Sequence, residues 1–114
     1  MKTLQEVFNI VSKHLLKQNK RCMSGSRCVY RGDEGMKCAI GALIKDEHFD
    51  EAHNLSSVYD DQIQDMLRKS GINTSSSDIF FMRKLQDVHD DTTPNNWEKE
   101  LKKIAKAHNL IHTT

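Results

Sequence analysis

Proline occurs once in the 114 residues, at Pro94, and glycine only five times. A chain so poor in the two helix breakers cannot be a collagen-like or linker-like polymer, and long stretches of it are free to be helical. Aromatic residues make up 6% of the sequence, so the core has to be mainly aliphatic. No segment approaches the roughly 20 successive apolar residues that a membrane-spanning helix requires, and no membrane partner is expected. The opening MKTLQEVFNIVSKHLL mixes charged and apolar positions instead of offering a continuous signal-peptide core, which sets the expectation of a cytoplasmic protein. Cysteine is present three times, as Cys22, Cys28 and Cys38; an odd number does not suit a secreted disulfide framework, and reduced thiols are expected.

What remains is 37% hydrophobic and 29% charged, the balance of a folded chain, and 114 residues suit one packed core. The expected architecture is mainly α: one domain over residues 1–114, a small helical bundle with a single short β-hairpin. Thr3 and Glu6 write a capping box, after which Leu4, Val7, Phe8, Val11, Leu15 and Leu16 recur at helical spacing to about Lys17. Ser57 and Asp60 offer another start signal, ahead of a helix carrying Tyr59, Ile63, Met66 and Leu67 that Gly71 ends. Serines 75–77 cap a helix bearing Ile79, Met82, Leu85, Val88 and His89. Thr93 and Pro94 open the last one, along which Trp97, Leu101, Ile104, Ala105 and His108 repeat before Asn109.

Between the first and second of these helices, Arg31-Gly-Asp-Glu-Gly35 reads as a five-residue hairpin loop between a strand at Arg27–Tyr30 and one that begins at Met36. That register sets Tyr30 opposite Met36, Val29 opposite Lys37 and Cys28 opposite Cys38, placing two thiols on one face of a ribbon. The apolar run from Cys38 to Ile44 then reads as a short buried helix, with Gly41 marking a place of close packing.

Charge is nearly balanced in total, at +1, but unevenly placed. From Lys13 to Lys37 there are seven basic residues against Asp33 and Glu34. From Asp46 to Asp65 the acids Asp46, Glu47, Asp50, Glu51, Asp60, Asp61 and Asp65 face no lysine or arginine. A basic and an acidic surface are expected.

The block CVYRGDEGMKCAIGALI, with Cys28, Tyr30, Arg31, Gly35, Lys37, Cys38, Ala39, Gly41 and Ile44, is followed by Leu85, Gln86, His89, Asp90 and Trp97. Together these resemble the pattern of a family of short proteins encoded by tailed bacteriophages and scattered bacterial genomes. The resemblance is specific in the first block and loose elsewhere. It implies production in the cytoplasm of an infected bacterium and brings no activity, cofactor or catalytic residue with it. Small phage proteins of this type often bind host proteins, including components of defence or transcription.

Three kinds of site chemistry compete with plain packing. Cys22, Cys28 and Cys38 with His48 or His53 could supply soft zinc ligands, although five and nine residues separate the cysteines and no tight knuckle is present. Cys38, beside Lys37 and at the expected helix start, could be an activated nucleophile with His89 as base and Asp90 or Asp91 orienting it. The basic stretch with Tyr30 could meet nucleic acid, but no recognisable nucleic-acid motif accompanies it. Against these stand ordinary roles: Gly35 for a positive φ, Tyr30 as a packing aromatic and Arg31 as a donor to loop backbone. The leading expectation is a non-enzymatic inhibitor of a host macromolecule, contacting it through Tyr30, Arg31, Lys37, Asp46, Glu47, Asp50 and Glu51, with no cofactor. The cysteine-dependent enzyme is the alternative.

Overall fold

A computed structural model describes residues 1–25 and 27–112. The chain is mainly helical: α1 (Leu4–Gln18), α2 (Asp61–Lys69), α3 (Ser76–Asp91) and α4 (Pro94–Ala107). Among the described residues a single two-stranded sheet, β1 (Met23–Ser24) with β2 (Arg27–Cys28), accompanies them.

The helix termini follow from local chemistry. In α1 the Thr3 hydroxyl accepts the Glu6 N–H at 3.1 Å while the Thr3 N–H donates to Glu6 Oε1 at 2.9 Å, so two otherwise unpaired donors are satisfied reciprocally. Asn19 ends the helix in a left-handed conformation, its N–H on the Leu15 carbonyl. Asp60, not Ser57, caps α2, accepting from the Gln62 N–H; the Ser57 hydroxyl takes the Tyr59 N–H in a turn just ahead of it. Ser75 caps α3 and Pro94 occupies the first turn of α4.

Helices α1, α3 and α4 pack on one another. Phe8, Val11 and Leu15 of α1, Phe81, Met82 and Leu85 of α3, and Trp97, Leu101 and Ala105 of α4 are buried together. Each stripe repeats at three or four residues, so each helix presents one apolar face to the same interior. Residues from the irregular segment between α1 and α2, notably Cys22, Val29, Tyr30, Cys38, Ile40 and Ile44, extend that core.

In that segment the strand pairing differs from expectation. The hairpin is Met23 opposite Cys28 and Ser24 opposite Arg27, turning through Gly25. A loop stands near the anticipated Arg31–Gly35, but it runs over residues 32–36 and a lone bridge between Arg31 and Lys37 closes it. The register there is two residues away from the one that would align Cys28 with Cys38. A tight turn at Asp33–Gly35, with Gly35 at φ +74°, lies within the loop, whose closure falls at Arg31 and Lys37.

The run Cys38–Ile44 is not a helix. It makes one turn, with the Ala42 N–H on the Cys38 carbonyl, and then departs. Two more bonds are local, the Leu43 N–H on the Ile40 carbonyl and the Gly41 N–H on the Cys38 sulfur. The rest come from outside the run: the Cys38 N–H on the Tyr30 carbonyl, the Ile40 N–H on Gln86, and the Arg31 guanidinium on the Gly41 and Ile44 carbonyls. Backbone satisfied in this way has no need of helical hydrogen bonds. Gly41 is where the close packing lies, since a Cβ there would stand 2.2 Å from the Tyr30 carbonyl oxygen.

Candidate functional site

Two polar hubs hold the irregular segment against the helices, and a cavity opens between them. The first hub is centred on α3. Gln86, His89 and Asp90 are spaced i, i+3, i+4 and therefore share a face. The Asp90 carboxylate oxygen Oδ1 receives the Nδ1–H of His89 at 2.7 Å and the Nε2–H of Gln86 at 2.9 Å. Behind those side chains stand two main-chain donors: the Cys22 N–H on His89 Nε2 at 2.8 Å and the Ile40 N–H on Gln86 Oε1 at 3.1 Å. His89 is fully buried and its ring stacks on Trp97 of α4 at 5.6 Å.

These contacts assign the imidazole. Nε2 accepts an N–H and so carries its lone pair there, which leaves the proton on Nδ1, directed at Asp90. The expected role of Asp90 in orienting His89 is present in the geometry. The base that this would prepare is not, because the only lone pair is already committed to Cys22.

Cys38 lies in the core with its sulfur accepting the Gly41 N–H at 3.2 Å. Without a helix at Cys38 there is no helix dipole to favour a thiolate, and burial instead pushes the thiol pKa well above its ordinary value. Cys22, whose thiol donates to the Met36 carbonyl, is pushed up to about 11, again mainly by burial. Cys28 is also raised, by burial and then by the charge of Asp90. No described cysteine is activated as the nucleophile reading requires, and Asp91 lies exposed at the end of α3.

Among the described residues, one trio of potential metal ligands has its donor atoms mutually within 4.8 Å, namely Cys28, His89 and Asp90. Cys22, Cys38, His48 and His53 do not join it. The trio fits a cation poorly: metal on Nδ1 would move the proton to Nε2, where the Cys22 N–H already points.

Arg31 is the second hub. Its guanidinium donates to the Gly41 carbonyl at 3.2 Å and to the Ile44 carbonyl, pairs with Asp46 at 2.7 Å and lies over the Phe49 ring at 4.8 Å. Its main chain is gripped by Asn54, which accepts the Arg31 N–H at 2.9 Å and donates to the Arg31 carbonyl at 2.8 Å. Arg31 is therefore a donor to loop backbone. Tyr30 is buried, and Lys37 turns to Asp46 at 3.4 Å, so these three face inward or toward their own chain.

Asn54 had no motif to announce it, and Gln86 carries no site signal beyond its helical spacing from His89 and Asp90.

The cavity holds about 230 Å³. It is lined by Tyr30, Leu55 and Ser57 and by Arg83, Gln86 and Asp90 of α3. Residues far apart in sequence thus converge on it. Leu55 lies within the acidic segment, where Asp46 is neutralised by Arg31 and Lys37, and Asp65 by Arg68 and Lys69. Asp50 caps a short turn through the Ala52 N–H, whereas Glu47, Glu51 and Asp61 are exposed and form no ion pair among the described residues. Leu55 and Tyr59, between these acids, are 61% and 57% exposed.

No family model, curated protein or solved structure matches the chain.

Proposed function

We propose that this chain is a small, phage-type cytoplasmic binding protein, without catalytic chemistry, that docks its acidic segment on a basic surface of a host macromolecule and inhibits it. One observation carries the reading: Leu55 and Tyr59 are exposed within a stretch whose acids Glu47, Glu51 and Asp61 have no cationic partner among the described residues. Interfaces are built as apolar or aromatic anchors surrounded by a charged rim, and this segment has both. Opposite charge on the partner speeds encounter and fixes orientation, and a surface that normally holds nucleic acid or nucleotide would be blocked by it. The resemblance to tailed-phage proteins points the same way, toward a host component of defence or transcription.

The site first expected is thereby moved. Tyr30, Arg31 and Lys37 are spent on the fold and Asp46 on them, so the contact surface retains Glu47, Asp50 and Glu51 and gains Leu55, Tyr59 and Asp61.

Capture of a stoichiometric host protein by the tagged chain, followed by measurement of its affinity for variants, tests the proposal. Reversal of Glu47, Glu51 and Asp61 to lysine, or truncation of Tyr59 to alanine, is expected to weaken binding about tenfold or more. A captured partner that binds all of these variants as it binds the parent chain would sink the reading.

A further inference from the structure

The cavity beside Leu55 has a floor that packing alone does not account for. Asp90 is 29% exposed there, and the hydrogen bonds that fix it all converge on one of its oxygens. No nitrogen or hydroxyl donor of the described residues reaches Oδ2, and the neighbouring Cys28 thiol is a weak donor. The carboxylate is thus held rigidly by two side chains, each braced by a main-chain N–H, with a second oxygen that carries no nitrogen or hydroxyl donor of the described residues. Such preorganisation removes the ordering cost that a flexible surface aspartate would bring to binding.

We propose that this cavity is the receptor for a lysine side chain of the docked partner, taken up with its ammonium group on the open oxygen of Asp90. Size permits it, since about 230 Å³ accommodates a butylammonium chain. The lining chemistry agrees: the exposed Leu55 offers apolar surface for the methylenes, and Ser56 and Ser57 contribute hydroxyl groups to the lining. The choice of lysine over arginine follows from the occupied Oδ1. A guanidinium gains its advantage by engaging both carboxylate oxygens in a fork, whereas an ammonium is a point charge that one oxygen satisfies.

Arg83 is the opposing charge. It sits seven residues before Asp90 on α3, about 10 Å away along the axis at 1.5 Å per residue. Its Nε is paired with Asp87 at 3.0 Å, an exposed pair that offsets part of the charge it brings to the lining.

The inference rests on the docking reading only in that the partner supplies the lysine. Its test needs no partner. Nα-acetyl-lysine methylamide is titrated into the isotope-labelled chain, with the Nε-acetylated and arginine analogues as controls, and amide shifts are followed. Saturable shifts at Tyr30, Leu55, Ser57 and Asp90 are expected for the lysine probe alone.

Asp90→Asn keeps an oxygen for His89 and Gln86 but puts an amide donor in place of the other, and is expected to weaken the probe about tenfold or more. Leu55→Trp, at an exposed position that spares the core, should also abolish binding by filling the cavity, which keeps the test decisive if Asp90→Asn fails to fold. Absence of saturable shifts, equal binding of the acetylated or arginine probe, or unchanged binding in the variants would overturn the assignment. Failure here with partner capture intact would leave the acidic face as the contact and remove the cavity from it. Probe binding with no dependence of a partner on Glu47, Glu51 and Asp61 would do the reverse.

Discussion

The main-chain N–H of Cys22 donates to Nε2 of His89 at 2.8 Å across 67 residues of sequence, and this one bond decides what the histidine can do. It ties the exit from α1 to the face of α3, sets the proton on Nδ1 and removes the lone pair that a catalytic base would need. A side chain that looked available for chemistry is the brace of a structural network.

Replacing His89 by alanine would strand the buried Cys22 N–H, deprive Asp90 of a donor and leave Trp97 without its stacking partner. A buried donor left unpaired costs about 1–3 kcal/mol and a cavity adds to it, so a loss of about 3 kcal/mol is expected. Urea unfolding monitored by Trp97 fluorescence measures it. In the unmodified protein, long-range proton–nitrogen spectra should show His89 protonated at Nδ1 and unprotonated at Nε2; the opposite tautomer would contradict the hydrogen bonds described.

Arg31 permits a sharper comparison. Alanine there removes the donors to the Gly41 and Ile44 carbonyls and the Phe49 contact at once, and a loss of about 2–3 kcal/mol is expected. Lysine at the position should recover only part of it, because it keeps the charge and loses the fork. Asp46→Asn, in contrast, touches an exposed pair that solvent screens, and should leave stability almost unchanged. Equal losses for Arg31→Ala and Asp46→Asn would show that the ion pair, not the backbone contacts, matters.

Much of the fold could be read from the sequence because its signals are local. The Thr3–Glu6 box, the Ser75 cap, Pro94 in the first turn of α4 and Asn109 just past its end each act within one helical turn. Cys38–Ile44 escaped local reading for the converse reason: its apolar composition suits a helix, but Arg31, Gln86 and Tyr30 claim its polar groups from outside. A turn-rich ribbon was legible between α1 and α2, but its strand pairing was not, since Arg27–Cys28 pairs with Met23–Ser24 and only the Arg31–Lys37 bridge stands at the expected loop.

At the site, the spacing of Gln86, His89 and Asp90 was visible, but not the partner of each. Asn54 carried no local signal at all, since its amide works only when Arg31 is already beside it.

Thiol chemistry follows from burial. Cys22 and Cys38 are buried and their thiols are raised, so iodoacetamide at neutral pH should leave both unmodified until the chain unfolds; the half-buried Cys28 should react slowly and first. Peptide mapping after timed alkylation reads this, and rapid modification of Cys38 in the folded protein would restore the nucleophile reading.

The same groups set an alkaline limit. A thiol raised in the fold favours the folded state while it stays protonated, and that contribution is full below the unfolded pKa of roughly 8.5–9. It is lost as pH rises toward the folded value, about 11 for Cys22, with Cys38 and Tyr30 acting in the same direction. Thermal stability should therefore fall steadily from about pH 9 upward, and Cys22→Ser should flatten part of that slope. A melting temperature unaffected across this window would count against the burial of these groups.

Gly41 provides the most direct check on the path of the irregular segment. Its φ is not in the left-handed region, so alanine would suffer no conformational penalty there; the objection is space alone, with a Cβ placed 2.2 Å from the Tyr30 carbonyl oxygen and 3.0 Å from its carbon. Backbone has to give way on one side or the other, which would strain both the Cys38 N–H to Tyr30 bond and the grip of Arg31 on the Gly41 carbonyl. A loss of about 3 kcal/mol is expected for Gly41→Ala. Alanine at Gly25 provides the contrast, since open space surrounds that position and only its positive φ resists substitution, at about 1 kcal/mol. Comparison of the two variants by chemical denaturation separates crowding from conformation, and a Gly41→Ala protein as stable as the parent would mean that the Cys38–Ile44 turn does not approach Tyr30 as described.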